Sequence, residues 1–404
     1  MSGLAIIGGS YAALNLAISA RQHGYAEPIR MITDEAMAPY HRPPLSKGHL
    51  LAPCPPDALA LRGEAFYAEH GIEVLLETKV LAIDPAGKLK TARRAIAFDS
   101  LAITTGARAR LLNLPGCELD GVVALRSWAD AEAIRQRLPD IENVVIIGAG
   151  FIGLELAASF RKLGKTVTVL EALPRVLARA VPQRLSTFIE AEHRLRGVDL
   201  RCNVRSVTIE GLNRRATGVV ADGARCPADM IVLAVGATAN SELGAPLGLV
   251  TQGAIAVDNV GRTALHHIFA AGDCTIHPNA FSGTPLRLES VQNATDQARA
   301  AGAAIAGVHA PYASVPWFWS DQYDLKLQMV GLSHGADHEI VRGSVEDRKF
   351  SVFYLKSGRL LAIDSVNSPA DHMLGRRLVS QRIGVAPELI QDPQFDLRTL
   401  AKAA

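Results

Sequence analysis

Two glycine-rich loops, each following a short apolar run, carry the clearest chemical signal in this chain. The loop GGSYAA begins at Gly8 after the run 4–7, and the loop GAGFIG begins at Gly148 after the run 144–147. In such loops the first glycine allows a tight turn, the second lets the backbone approach a pyrophosphate, and the third lets helix and strand pack closely. The following helix offers free N–H groups to phosphate. Two loops predict two dinucleotide sites, and a chain holding two dinucleotides is suited to pass electrons between them.

The residues expected to lie against the dinucleotides follow from this pattern. In the second loop they are Gly148, Gly150 and Gly153. The first loop departs from the pattern, because Ser10 stands where the second glycine is expected and Ala13 where the third is expected. Alanine is tolerated at the third position, whereas a serine Cβ restricts the approach of the backbone unless φ is negative. The first loop is predicted to bind its dinucleotide through Gly8, Ser10, Ala12 and Ala13.

An acidic residue is expected after the second strand of each unit, where it can bind ribose hydroxyls. In the second unit Glu171 follows the run 166–170. In the first unit the run 29–33 is followed by Asp34 and Glu35, and the pattern alone leaves both open. A carboxylate at this place favours the ribose diol and repels a 2′-phosphate, so Glu171 predicts NADH rather than NADPH on the second unit.

Composition limits the classes of function. The chain has 404 residues, of which 49% are hydrophobic and 20% charged, and its net charge is +2. These values predict two or three globular domains and give no reason to expect nucleic-acid or membrane binding. The chain enters its first strand by Leu4 and contains no long apolar run free of charge and glycine, so we expect a cytoplasmic protein.

The cysteines are scattered. No two of them form a C-x-x-C or C-x-x-x-x-C pair, and no cysteine or histidine set has the spacing of a metal site. We therefore expect reduced thiols and no bound metal, and the spacing argues against disulfide chemistry. The five cysteines are Cys54, Cys117, Cys202, Cys226 and Cys274.

Strands and helices alternate to about residue 310, which is typical of doubly wound α/β sheets. Apolar strands ending in Gly-Ala, at 101–107 and 231–237, follow the two glycine loops at similar distances and indicate an internal duplication. Beyond Pro311 the chain becomes aromatic and strand-rich before a helical segment. The predicted fold is α/β, with two Rossmann-like dinucleotide-binding domains, one inserted in the other, plus a C-terminal α+β domain. The predicted boundaries are 1–107 with 236–311, then 108–235, then 312–404.

Five segments resemble a known family over essentially the whole chain: HRPPLSK (His41 to Lys47), GAGFIGLE (Gly148 to Glu155), AAGDC (Ala270 to Cys274), ESVQNATDQAR (Glu289 to Arg299) and PWFWSDQYDLKLQMVGLS (Pro316 to Ser333). On these segments the chain resembles the NADH-dependent, FAD-containing ferredoxin reductases that serve bacterial oxygenases. The last segment is highly specific, whereas glycine loops occur in many flavoproteins.

The resemblance implies FAD on the first dinucleotide-binding domain and NADH on the second. It implies that Asp34 binds the adenosine ribose of FAD and that Lys47 lies by the flavin ring. Glu155 matches the glutamate that pairs with this lysine near the nicotinamide, so Lys47 and Glu155 are the expected catalytic pair. The other residues that the resemblance assigns to FAD are Arg42, Val80, Arg126, Asp273, Val291 and Trp319.

The expected function is electron transfer from NADH through FAD to a [2Fe–2S] ferredoxin that supplies a haem monooxygenase or a ring-hydroxylating dioxygenase. The ferredoxin is expected to be acidic and transiently bound, and the reductase to be a monomer or weak dimer. Two alternatives stay open: an NADH oxidase or other flavin reductase, and an NADH-sensing interaction module. The residues expected to attract the ferredoxin are Arg62, Arg287, Arg299 and Lys326.

Overall fold

Helices begin directly after the two glycine loops, as the sequence predicts. The computed structural model describes residues 2–400. No helix in that range combines the length and hydropathy needed to span a lipid bilayer. The helices are α1 (Tyr11–Gln22), α2 (Gly48–Leu51), α3 (Glu64–Glu69), α4 (Trp128–Arg137), α5 (Phe151–Lys162), α6 (Gln183–Leu195), α7 (Val291–Ile305), α8 (Pro369–Ser380) and α9 (Pro387–Gln391).

Strands make up most of the remaining regular structure. In chain order they are β1 (Leu4–Ile7), β2 (Ile29–Ile32), β3 (Ile72–Leu75), β4 (Val80–Asp84), β5 (Lys88–Thr91), β6 (Ala95–Ala97), β7 (Ser100–Ile103), β8 (Ala107–Ala109), β9 (Val122–Val123), β10 (Asn143–Ile147), β11 (Thr166–Leu170), β12 (Asp199–Arg201), β13 (Val207–Leu212), β14 (Arg215–Ala221), β15 (Ala224–Pro227), β16 (Met230–Leu233), β17 (Ala237–Ala239), β18 (Val250–Thr251), β19 (Ala254–Ala256), β20 (Ile268–Ala270), β21 (Thr275–Ile276), β22 (Trp317–Gln322), β23 (Leu325–Gly331), β24 (His338–Ser344), β25 (Lys349–Lys356) and β26 (Arg359–Val366).

The chain divides into two compact units. Unit 1 comprises Met1–His41, Cys54–Arg108 and Thr238–Pro316, and unit 2 comprises Arg42–Pro53, Ala109–Ala237 and Trp317–Ala404. Unit 2 thus takes up the predicted NADH-binding segment, most of the predicted C-terminal domain and the short segment around Lys47. The finer division into three domains, with the boundaries given above, stays a prediction.

Unit 1 is built on a parallel sheet with the strand order β20-β7-β1-β2-β3. Every residue of β1 is buried, and Ile7 lies opposite both Ile32 and Ile103. Continuous apolar strands of this kind belong to parallel sheets covered on both faces. α1 and α7 pack on each other, and a Cβ at Gly302 would lie 2.4 Å from the carbonyl oxygen of Leu16. This close packing holds the loop between β1 and α1 in place.

Unit 2 repeats this arrangement. Its parallel sheet has the order β12-β11-β10-β16-β9, and Ile147 at the end of β10 lies opposite Leu170 and Leu233. Gly8 and Gly148 therefore occupy equivalent positions, and each donates its N–H to the last residue of the neighbouring strand, Ile32 or Leu170, at 2.8 Å. The predicted fold class, with its two Rossmann-like units, is confirmed.

The C-terminal part of unit 2 is an antiparallel sheet with the order β22-β23-β26-β25-β24, against which α8 packs. The strand-rich region predicted beyond Pro311 is present as β22 to β26, and the helical segment predicted after it is present as α8. Successive side chains of β22 lie on opposite faces of the sheet. Ser320 and Gln322 are fully buried, whereas Asp321 between them is exposed. This alternation brings polar side chains of β22 into the interior of the unit.

Candidate functional site

The second glycine loop has the backbone that a dinucleotide requires. Gly148 has φ of +109°, and a Cβ there would lie 2.4 Å from the carbonyl oxygen of Ala234. A Cβ at Gly153 would lie 2.1 Å from the carbonyl oxygen of Gly148. These two glycines are needed by the fold itself. At Gly150, by contrast, φ is −79° and a Cβ would meet nothing within 4 Å, so the fold leaves open space where a pyrophosphate would approach.

The first loop also has a backbone suited to a dinucleotide, although its second glycine is Gly9 and not residue 10. Gly8 has φ of +131°, and a Cβ at Gly9 would lie 2.8 Å from the side chain of Thr33. Ser10 is extended, with φ of −148°, so its Cβ adopts a favourable conformation and the restriction raised by the sequence does not arise. Ala13 is fully buried where helix and strand pack together. The departures from the glycine pattern are therefore compatible with a dinucleotide.

The starts of α1 and α5, which follow the two loops, lack the side-chain caps found on α4 and α7. α4 begins with a capping box of Ser127 and Asp130, and Ser290 caps α7 by accepting from the N–H of Asn293. The first turns of α1 and α5 contain no acidic side chain, and the cap position of α5 is Gly150, which has no side chain to offer. Helix N-termini of this kind suit the phosphates of a bound dinucleotide.

Glu171, the acid predicted to bind ribose, also forms hydrogen bonds with the backbone of the second loop. Its carboxylate accepts the N–H of Ala149 at 2.7 Å and the N–H of Leu173 at 2.9 Å. This support of the glycine loop was not foreseen from the sequence. Each oxygen of a carboxylate can accept more than one hydrogen bond, so the predicted contact of Glu171 with ribose hydroxyls stays available and stays a prediction.

The acidic position of the first unit is displaced by one residue. The register pairs Ile7 with Ile32, so the residue equivalent to Glu171 is Thr33, and Asp34 follows it as an exposed side chain. Glu35 accepts the Tyr40 hydroxyl at 2.6 Å. Asp34 is therefore the better placed of the two acids for a ligand, and its assignment to FAD stays a prediction.

Unit 1 contains three further residues that were predicted to bind FAD. Asp273 is half-buried directly after β20 and Gly272, and Val291 opens α7, whereas Val80 is buried at the start of β4. Within residues 2–400, the buried Asn293 Oδ1 and Gln297 Nε2 atoms of α7 have no hydrogen-bond partner. Buried polar atoms are normally satisfied, so these two fit a polar cofactor such as FAD.

Lys47, which is half-buried, and Glu155, which is buried, form an ion pair inside unit 2. The Lys47 Nζ atom lies 2.8 Å from Glu155 Oε1, and only 3% of the Glu155 side chain is exposed. Glu155 also accepts the hydroxyls of Ser46 at 2.5 Å and Ser320 at 2.6 Å. An open cavity of about 270 Å³ borders both members of the pair. A carboxylate with three donors gives the lysine ammonium one fixed direction.

The segment that carries Lys47 is held at several points. Lys47 lies between a short 3₁₀ helix, Pro43–Ser46, and α2. Ser159 of α5 donates to the carbonyl of Ser46 at 2.7 Å, and the buried His49 contacts Glu132 of α4 at 2.8 Å. These contacts come from helices on both sides, so the Lys47 side chain starts from a rigid backbone.

Two further residues assigned to FAD by the resemblance lie in the same unit. Arg42 donates through Nη1 to the carbonyl of Arg126 at 3.0 Å, which brings these two predicted residues together. Trp319 is half-buried on β22, with its ring 5.5 Å from that of Trp317. Trp319 is the neighbour of Ser320, which binds Glu155, so one strand carries both a predicted flavin contact and a partner of the ion pair.

The sequence alone missed the polar residues that extend this site. Ser46 and Ser320 lie inside the segments HRPPLSK and PWFWSDQYDLKLQMVGLS, so their positions were a signal that could have been used. Gln322 donates to Ser320 at 3.1 Å and contacts His193 of α6 at 2.8 Å. Nothing in the sequence around His193 marks it as part of the site.

His193 predicts a pH-dependent stability. Burial lowers the pKa of His193 to about 4, the nearby Arg196 lowers it further, and Gln322 and Glu192 raise it by smaller amounts. An exposed histidine titrates near 6.5, so between these values the unfolded chain binds more protons and the free energy of unfolding falls as the pH falls. From pH 7 to pH 4.5 we expect the wild type to lose about 2–3 kcal/mol more than His193→Gln. Urea unfolding at both pH values measures this, and equal losses would contradict the assigned protonation.

The cysteines of the described chain are all free. Burial raises the pKa of Cys202 and of Cys274 to about 11. A thiol with so high a pKa is a poor nucleophile at neutral pH. The structure therefore gives these two residues no role in disulfide exchange.

Comparison with known proteins adds family relationships to this geometry. A family model described as pyridine nucleotide-disulphide oxidoreductase matches residues 2–298, and one described as reductase C-terminal matches residues 317–401. Rhodocoxin reductase from Rhodococcus erythropolis is 41% identical over 403 residues, which cover 98% of this chain and 93% of that protein.

Two solved structures show the same likeness in three dimensions. The ferredoxin reductase for the CYP199A2 system from Rhodopseudomonas palustris matches with a TM-score of 0.95 and 43% identity, covering 98% of this chain and 99% of that one. The reductase in the covalent putidaredoxin reductase–putidaredoxin complex matches with a TM-score of 0.95 and 36% identity, covering 100% of this chain and 98% of that one. The likeness thus includes both glycine loops and the C-terminal sheet.

Proposed function

Because the chain belongs to the pyridine nucleotide-disulphide oxidoreductase family, we propose that it carries electrons from NADH through FAD to an iron–sulfur ferredoxin that supplies an oxygenase. The observation that carries this proposal is the repeated loop. Each unit has its own parallel sheet and its own glycine loop, in equivalent register and with a backbone suited to a dinucleotide. Relatives named as ferredoxin reductases over nearly the full length support the choice of acceptor.

The residues present fit the two dinucleotides. The first loop, with Asp34 and Asp273, would hold FAD, and the second loop, with Glu171, would hold NADH. FAD, when bound, exchanges a hydride with NADH and single electrons with an iron–sulfur centre. We assign Lys47 to place positive charge beside the flavin ring, and Glu155 to keep that charge in one direction. We also assign Arg42, Val80, Arg126, Val291 and Trp319 to the FAD site.

An acceptor assay tests the proposal against its alternatives. FAD-loaded protein is reduced with NADH in the absence of oxygen and then mixed with a [2Fe–2S] ferredoxin or with air. We expect ferredoxin to reoxidise the flavin much faster than oxygen does. Faster reoxidation by oxygen would indicate an NADH oxidase. Reduction by NADH over minutes, accompanied by a change of oligomeric state and no ferredoxin reduction, would indicate an NADH-sensing module.

We further propose that the ferredoxin is acidic and binds through basic residues. Arg62 stacks on Phe66 at 5.3 Å, and Arg287 and Arg299 have carboxylate partners at 2.5 and 3.2 Å. Arg299 is more available than Arg287, with 61% of its side chain exposed against 27%. Charge attraction accelerates association and is screened over about 8–10 Å near physiological salt. We expect the KM for ferredoxin to rise several-fold from 20 to 300 mM salt.

The contribution of Arg299 is measured by charge reversal. Arg299→Glu is expected to raise the ferredoxin KM at low salt and to flatten its salt dependence, while ferricyanide reduction is unchanged. Arg398→Glu is the control, because Arg398 is 79% exposed, has its own partner in Asp396 and has no assigned role in docking. A ferredoxin KM that stays constant across the salt range would reject electrostatic docking and leave apolar contacts as the account.

A further inference from the structure

A chain of hydrogen bonds runs through the interior of unit 2 and ends on Glu155. The Tyr323 hydroxyl lies 3.3 Å from His193 Nδ1, and His193 Nε2 lies 2.8 Å from Gln322 Oε1. Gln322 Nε2 lies 3.1 Å from the Ser320 hydroxyl, which lies 2.6 Å from Glu155 Oε1. We call these four residues, Tyr323, His193, Gln322 and Ser320, the donor chain.

The Glu155 carboxylate can only accept hydrogen bonds, and this fixes the direction of every hydrogen bond in the donor chain. The single hydroxyl proton of Ser320 goes to the carboxylate of Glu155, so Ser320 must accept from Gln322, which therefore presents its NH₂ group there. The amide oxygen of Gln322 then faces His193, whose Nε2 must carry the proton. His193 Nδ1 is left as an acceptor for the Tyr323 hydroxyl. All four donors therefore point toward Glu155.

The members of the donor chain lie where polar groups are costly. Ser320, Gln322 and His193 are fully buried. A buried polar network is stable only if each member is satisfied, and aligned hydrogen bonds polarise one another. At its outer end the guanidinium of Arg196 lies 4.6 Å over the Tyr323 ring, and Arg196 is paired with Glu192 and Asp324. The donor chain thus begins beside the Arg196 cation and ends at the Glu155 carboxylate.

The donor chain also joins separate elements of unit 2. Glu155 lies on α5 and His193 on α6, while Ser320 and Gln322 share the buried face of β22. The oxygen that accepts Ser320, Oε1, is the one that binds Lys47 at 2.8 Å. Any shift of Ser320 therefore changes the place of the oxygen that orients the lysine ammonium.

We propose that Gln322 and His193 are positioning residues for the reduction of FAD by NADH: through Ser320 they fix the Glu155 carboxylate that aims Lys47. This inference rests on the proposed function, because Lys47 is assigned there to the flavin. Neither Gln322 nor His193 touches the ion pair, and both act through Ser320. Their effect should appear in the rate of reduction and not in the binding of NADH.

The kinetic test uses Gln322→Leu, which keeps the size of the side chain and removes both hydrogen bonds. We expect single-turnover reduction by NADH to slow about 5–20-fold, the effect of losing one or two oriented hydrogen bonds, with the NADH Kd unchanged within about twofold. Ser351→Ala is the matched control, because Ser351 is a fully buried hydroxyl of the same sheet that binds Ser365 and Asp371. This control should reduce at the wild-type rate.

A double-mutant comparison separates positioning from a general structural role. In a Glu155→Gln background, Gln322→Leu should cause no further slowing, because the carboxylate on which it acts is gone. An equal fractional loss in both backgrounds would overturn the proposal. If the leucine variant does not fold, His193→Leu removes the N–H that Gln322 accepts, one step further out, and is expected to show the same dependence on Glu155.

A second readout needs neither FAD nor turnover. In the ligand-free protein, ¹⁵N NMR of His193 should show the proton on Nε2, and Gln322→Leu should weaken this preference, because the acceptor that faces Nε2 is then lost. A proton on Nδ1 in the wild type would reverse the direction of the donor chain and overturn the inference.

The kinetic results distinguish failure of this inference from failure of the proposed function. If the wild type binds FAD and is reduced by NADH, and Gln322→Leu is reduced at the same rate, the positioning role alone is rejected. A wild type without FAD or NADH reactivity would reject the proposed function instead.

Discussion

Lys47→Ala is expected to slow the reduction of bound FAD by NADH about 100-fold while leaving the NADH Kd within about threefold of wild type. The lysine supplies a fixed positive charge at an assigned flavin contact, and removing one such electrostatic group commonly costs about 10²–10³ in rate. Stopped-flow absorbance of the flavin measures the reduction rate over a range of NADH concentrations. Lys165→Ala is the control, because Lys165 is tied to the carbonyls of Leu138 and Ile141 and has no assigned role in the chemistry.

The loss of Lys47 also leaves the buried Glu155 without its cation, and breaking a buried pair typically destabilises a protein by about 3–5 kcal/mol. The double variant Lys47→Ala with Glu155→Gln removes that unpaired charge. It should therefore recover much of the stability but not the rate. If the flavin of Lys47→Ala is reduced by NADH at the wild-type rate, Lys47 is an ordinary cation of the cavity wall.

Gly150→Ala is expected to weaken NADH binding at least tenfold in a protein that folds normally. The backbone at Gly150 suits any residue, and a Cβ there would meet no protein atom within 4 Å. The only group that the new methyl would obstruct is a pyrophosphate lying on the loop. The measurements are the NADH Kd from quenching of protein fluorescence, the melting temperature, and the FAD content, which should equal that of the wild type.

Two other glycines calibrate this result. Gly63 also precedes a helix, α3, with similar backbone angles and open space at its Cβ, so Gly63→Ala matches the change in helix capping without touching either loop. Gly153→Ala forces a Cβ to 2.1 Å from the carbonyl oxygen of Gly148 and should lower stability together with NADH binding. If Gly150→Ala binds NADH as tightly as Gly63→Ala does, the second loop is not the NADH site.

The fold could be predicted from the sequence because its signals are local and repeated. An apolar run, a glycine loop and a helical run occur twice, and β1 to α1 and β10 to α5 appear where these patterns place them. Lys47 and Glu155 could be named only through the family resemblance, since they lie far apart in the chain and no spacing rule joins them. Their separation of 2.8 Å is a tertiary fact.

The remainder of the site could not be predicted, for identifiable physical reasons. His193 lies on a helix with no motif, and only the tertiary fold brings it within 2.8 Å of Gln322. The register of β2 places Thr33 where an acid was expected, and the sequence gives no measure of a one-residue offset. Glu171 supports the backbone of its own loop, a contact that depends on the detailed course of the turn after β11.

The most direct test of the central claim is an anaerobic count of electrons. NADH is added in limiting portions to the FAD-loaded protein with an excess of oxidised [2Fe–2S] ferredoxin, and reduced ferredoxin is measured by its absorbance. We expect two ferredoxins to be reduced for each NADH consumed, because NADH gives two electrons and each cluster takes one. With protein stripped of FAD we expect no ferredoxin reduction. NADH consumption without ferredoxin reduction, or equal ferredoxin reduction without FAD, would contradict the central claim.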